Sequence, residues 1–235
     1  MKKLIKSAIF TVILCLFCSF NVFAASQSNS GKTAADIITE ARQILNESVA
    51  SFWTDAMMLD WIDAATKEIV AKTKCRQDIA TITLVTGTME YAWTGDSEYI
   101  QIMACMYHDG TEYKSLTKTD IKSIGRISAT GSPKYWYEWE DQVGIWPIPT
   151  AAYNAQKVYA YYVIVPVVID GTTDNILTPA IFDDALVWYT VGHAKMRDNK
   201  PEEAAYYMNL FNEIIALYRQ DILYSPKESV NEATP

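Results

Sequence analysis

GSPKYWYEWEDQVGIWPIP, residues 131–149, sets an aromatic-dense alternation against a Pro-x-Pro exit. Alternating large side chains over Tyr135 to Trp139 and Val143 to Trp146 predict strands, because successive strand residues face opposite sides of a sheet. Proline donates no backbone hydrogen bond, so Pro147 and Pro149 end the run and redirect the chain. Moving outward, DIATITLVTG from Asp78 alternates β-branched residues and stops at Gly87. Tyr99 to Tyr107 and Val158 to Val165 are further strands, and the turn His108-Asp109-Gly110-Thr111 leads into Glu112-Tyr113-Lys114 as a hairpin. Thr119 to Ile124 reads as a short helical turn. Residues 78–166 are therefore expected to be mostly antiparallel sheet.

Helical periodicity flanks this region on both sides. Thr33 and Asp36 have capping-box spacing, and Ile37, Ala41, Ile44 and Leu45 then share one helical face. Thr54 is an N-cap, Trp53 is placed to staple onto Met58, and Met58, Ile62, Ala65 and Ile69 recur four, three and four apart. Near the other end, Thr178-Pro179 opens a helix with Ile181, Ala185, Trp188 and Tyr189 on its apolar side. Asp198-Asn199-Lys200-Pro201 closes it and starts another through Ala204, Met208, Phe211, Ile215, Tyr218 and Ile222. The fold class expected is α+β: a four-helix bundle from N- and C-terminal helical hairpins, 33–74 and 178–223, with a central antiparallel β-rich insertion at 78–166. Residues 25–32 read as a flexible linker and 224–235 as a flexible C-terminal tail.

At the front, Lys2, Lys3 and Lys6 precede an apolar run from Ala8 to Phe20, and Val22-Phe23-Ala24 offers small residues for cleavage. Residues 1–24 read as a signal peptide or, uncleaved, a membrane segment. The whole chain of 235 residues carries 20 Lys+Arg against 28 Asp+Glu. Loss of residues 1–24 would remove three lysines and no acids, leaving a net charge of −11. That balance opposes nonspecific nucleic-acid binding, which depends on clustered cations; any DNA contact would be local. Cys15 and Cys18 lie in the apolar leader and form no redox motif. Cys75 and Cys105 would form one disulfide in an exported protein or two buried thiols in a cytoplasmic one.

WTDAMMLDWIDAATKEIV, residues 53–70, resembles the second helix of podovirus-type phage head-to-tail adaptor, or connector, proteins. GTMEYAW, GSPKYWYEW with GIWPIP, YAYYVIVP, LTPAIFDDALVWYTVGHAK and YYMNLFNEIIALY are similar, in order, to that family's later segments. The similarity covers Thr33 to Leu223. The resemblance implies a non-enzymatic virion or prophage protein: a ring, dodecameric in the family, that joins portal to tail components and extends the DNA channel. It also implies that the helices meet neighbouring copies, that the tail from Tyr224 to Pro235 reaches the portal, and that the chain resides in the phage neck. The leader conflicts with that location and suggests export to the periplasm or envelope. Trp53, Trp61, Pro147 and Pro149 are read as packing and chain-direction residues.

No catalytic, cofactor-binding or metal-binding residues are assigned. His108 and His193 lie in different elements, so a metal cage would need recruited carboxylates. Glu138, Glu140 and Asp141 are adjacent acids, of which only Glu138 and Glu140 share a strand face as a glycosidase pair would. No phosphate loop, H-E-x-x-H or G-x-S-x-G occurs. The alternative reading is an exported envelope or carbohydrate-binding protein that stacks sugars on Tyr135, Trp136, Tyr137 and Trp139. Against it stands simple packing, in which Tyr135, Tyr137 and Trp139 fill one sheet face against the helices.

Overall fold

The computed structural model describes residues 29–47, 52–124 and 129–223. The expectations for the leader at 1–24, most of the linker and the tail at 224–235 fall outside those residues. Helix α1 (Ala34–Leu45) starts as its capping box requires: the Asp36 carboxylate accepts from the Thr33 N–H and hydroxyl, both at 2.8 Å. Helix α2 (Asp55–Thr73) is capped by Thr54, whose hydroxyl accepts from the Met57 N–H at 3.3 Å. Trp53 and Met58 are buried in the same core, the staple arrangement. Both helices end in left-handed residues, Asn46 and Lys74. Residues 29–32 are held in place, with the Ser30 N–H donating to the Thr178 carbonyl and the Ile176 N–H to the Lys32 carbonyl, each at 2.9 Å.

The middle of the chain supplies β1 (Gln77–Thr83), β2 (Glu90–Ala92), β3 (Tyr99–His108) and β4 (Tyr113–Lys118). A one-turn helix α3 (Ile121–Ile124) follows, then β5 (Thr130–Gly131), β6 (Tyr135–Trp139), β7 (Gln142–Trp146), β8 (Ile148–Pro149) and β9 (Lys157–Ile164). Seven strands form one sheet in the order β1-β9-β3-β4-β6-β7-β2, while β5 and β8 pair separately. Pairing is antiparallel except between β4 and β6 and between β5 and β8, which are parallel. The Trp146–Pro147 peptide is cis, and Pro149 is buried in the β5–β8 ribbon.

Helix α4 (Asp183–Arg197) and helix α5 (Pro201–Leu223) close the described chain. The first begins later than expected. Ala180–Phe182 form a 3-10 turn, and the Thr178 hydroxyl, buried, has no hydrogen-bond partner among the described residues and caps nothing. α4 is the hub: it packs on α1, α2 and α5 and buries Leu186, Val187, Thr190, Val191 and Ala194. Ile44 turns out 40% exposed, and Ile38 takes its expected place in the core.

The four-helix bundle carrying a β-rich insertion is therefore corrected. Among the described residues the fold is mixed α/β, with five α-helices and a curled seven-stranded sheet. The sheet owns a core separate from that of the helices, built from Tyr107, Leu116, Trp136, Ile145 and Tyr162 on the inward faces of its own strands. A core drawn almost entirely from one sheet's strands, with Leu84 just beyond β1, requires the sheet to curl so that its inner face meets itself. The misreading has a local cause in β4. YKSLTK contains one buried apolar residue, Leu116, yet this polar strand is the bridge that fuses the two antiparallel halves into one sheet.

Candidate interaction surface

The aromatic strand distributes its side chains differently from expectation. Trp136 is fully buried in the sheet's own core, opposite Ile145 across the β6–β7 pair. Tyr135, Tyr137 and Trp139 do share the other face, but that face is not packed against the helices. Tyr135 leans on Trp146 at 5.4 Å between ring centroids. Tyr137 lies over Gly144, where a β-carbon would stand only 2.0 Å from the ring, and its hydroxyl donates to Glu90 at 3.0 Å. Burial and the Glu90 carboxylate push the Tyr137 phenol well above its ordinary range. Only Trp139 is substantially open, beside a surface depression bordered by Lys118, Asp120 and Lys122.

The adjacent acids stand in different surroundings. Glu138 is bound to Lys118 at 2.8 Å and accepts from the Ile102 N–H at 3.1 Å, while Lys118 sits 4.7 Å over the Trp136 ring. Glu140 occupies the β6–β7 turn with φ 49, exposed. The histidines stay apart. His108 accepts from the Gly110 N–H at 3.3 Å within the β3–β4 hairpin. His193 is held between Trp61 and Tyr189, and burial lowers its pKa against an opposing pull from Glu68. Cys75 and Cys105 are both free thiols, one packed on the helical core and the other inside the sheet. Desolvation pushes the Cys105 thiol up to about 12. Among the described residues no group of three or more His, Cys, Asp or Glu is placed to hold a metal ion, and no helix is long and apolar enough to cross a membrane.

A second surface, not legible in the sequence, is the outer face of β1, β9, β3 and β4. Ala80, Ile82, Val158, Ala160, Cys105, Tyr107 and Leu116 point into the core, so the residues between them point outward. Strand register aligns these in rows: Ile79 with Tyr161 and Ala104, Thr81 with Tyr159, Met106 and Ser115, and Thr83 with Lys157, His108 and Tyr113. Tyr113 packs on His108 at 4.6 Å and Tyr159 at 5.7 Å. Those rows contain no carboxylate, in a chain whose formal net charge is −8. Alternation at the start of KVYAYYVI, with Tyr159 and Tyr161 on one side and Val158 and Ala160 on the other, was the available clue.

On the helical side, α5 shows solvent an exposed stripe of Glu202, Tyr206, Glu213 and Leu217, spaced as one face of a helix. Tyr206 and Leu217 are 60% and 61% exposed. The sheet and helical layers are joined through Arg76, whose guanidinium donates to the Leu177 carbonyl at 2.9 Å and to Asn29 at 3.3 Å.

The sequence matches the family described as SU10 adaptor protein over residues 32–230. That span includes both helical termini and the entire sheet, and the chain belongs to this family, a phage adaptor family. No curated protein matches it.

Proposed function

We propose that this protein is a non-enzymatic structural component of a phage or prophage virion that assembles as a ring, joins the portal to tail components and extends the DNA channel. The observation carrying this reading is the family match across residues 32–230, which takes in essentially the whole fold. The geometry is consistent with it in two respects. The reactive side chains that the sequence offers are dispersed or engaged: Glu138 by Lys118, His193 by two rings, Cys105 by burial. The exposed surfaces present Tyr113, Tyr159, Tyr161 and Tyr206 with Met106, residue types enriched in macromolecular contacts. DNA passing such a ring would be touched locally and without sequence preference, since the chain is acidic. The phage neck is the location this reading implies.

Co-expression with a portal protein from the same genome tests the proposal. Affinity capture of the portal should retain the chain at a fixed molar ratio through a sizing column. A portal that elutes free of it, with the chain folded and in excess, would contradict the proposal.

A further inference from the structure

Resting on the ring reading, we infer that the outer face of β1-β9-β3-β4 receives the exposed stripe of α5 from a second copy of this chain. Ring closure needs two different patches on one subunit, because a patch that pairs with itself gives only a twofold dimer. These two patches differ in the required way. The sheet face offers Ile79, Met106 and Tyr159 in successive rows, with Lys157 at the end of those rows as its charged residue and no acid among them. The helix stripe offers Tyr206 and Leu217 as apolar anchors flanked by Glu202 and Glu213, with no base among them.

Charge selects this occupant. Subunits that each carry a formal −8 repel one another, and contact is least costly where one side has shed its carboxylates. Interface cores are depleted in Asp, Glu and Lys and enriched in Tyr and Met, and the sheet rows match that description. The spacing of Tyr206, Glu213 and Leu217 along one side of α5 lets a single helix lay all three across the rows.

The test uses the full chain and four substitutions. Thr81→Glu and Ser115→Glu place acids at exposed positions of the sheet face, where neither side chain is buried. Each should keep its thermal transition and lower the oligomer's mass by light scattering, with at least a tenfold weaker association. Lys157→Glu or Glu213→Lys alone should weaken assembly, and the two together should restore it. If wild type assembles and the Thr81 and Ser115 variants assemble equally well, the face assignment is overturned while the ring reading stands. Variants that keep the oligomer but lose the portal or a tail component would give the face to another virion protein, which also overturns it. A wild type that remains monomeric alone and with portal would remove both.

Discussion

Arg42 shows how much of this structure depends on single side chains. Its side chain is 9% exposed and binds the Trp53 carbonyl at 2.7 Å, Asp55 at 2.7 Å and Glu47 at 3.3 Å, tying the end of α1 to the start of α2. Asp55 is 50% exposed, but removing the Arg42 cation leaves Glu47, 14% exposed, and the buried Trp53 carbonyl without its charge. Arg42→Ala should therefore cost about 3 kcal/mol in urea denaturation, against under about 1 kcal/mol for Lys72→Ala, whose bond to Glu68 is exposed. Gly144→Ala should cost about 3 kcal/mol as well, because the new methyl must displace the Tyr137 ring; an unchanged unfolding midpoint would refute that packing. His193 links stability to pH. Its folded pKa lies below the usual 6.5, so the unfolded chain binds the proton more readily and stability falls as pH drops through 6.5 toward the folded value. Denaturation midpoints between pH 8 and pH 5 should show this fall, and His193→Gln should flatten it.

At the scale of elements, what sequence revealed and what it hid have separable physical causes. Helix starts were legible where a capping residue announces them, as at Thr33 and Thr54. Thr178-Pro179 carried the same signature, but there the Thr178 carbonyl is committed to Ser30 and a 3-10 turn intervenes. Strands rich in alternating aromatics were legible too: β6 spans Tyr135–Trp139, as expected. Which strand lay beside which was not, because pairing is a long-range property and β4 carries almost no apolar pattern of its own. The same limit hid the outer sheet face, whose character exists only once Tyr113, Tyr159 and Met106 from three strands are brought together. Cys105 belongs to this scale, since the closed sheet interior suppresses its thiolate. Alkylation of Cys105 at pH 8 should be undetectable in the folded protein and rapid in denaturant, and a reductant should leave the thermal transition where it was.

The whole molecule joins an acidic surface to two separate cores, one of helices and one enclosed by the sheet. This division suits a ring subunit whose sheet layer meets one neighbour while its helical layer meets the next. The acidity also limits contact with nucleic acid: duplex DNA should show no retention by the purified chain at 0.15 M salt in an electrophoretic assay. The central claim is that this chain forms a ring on a portal, and cryo-electron microscopy of the co-purified portal complex tests it most directly. The account predicts a closed ring of density below the portal, each unit accommodating the helical layer and the curled seven-stranded sheet. A portal with no added ring, or a ring whose units do not hold this fold, would contradict it.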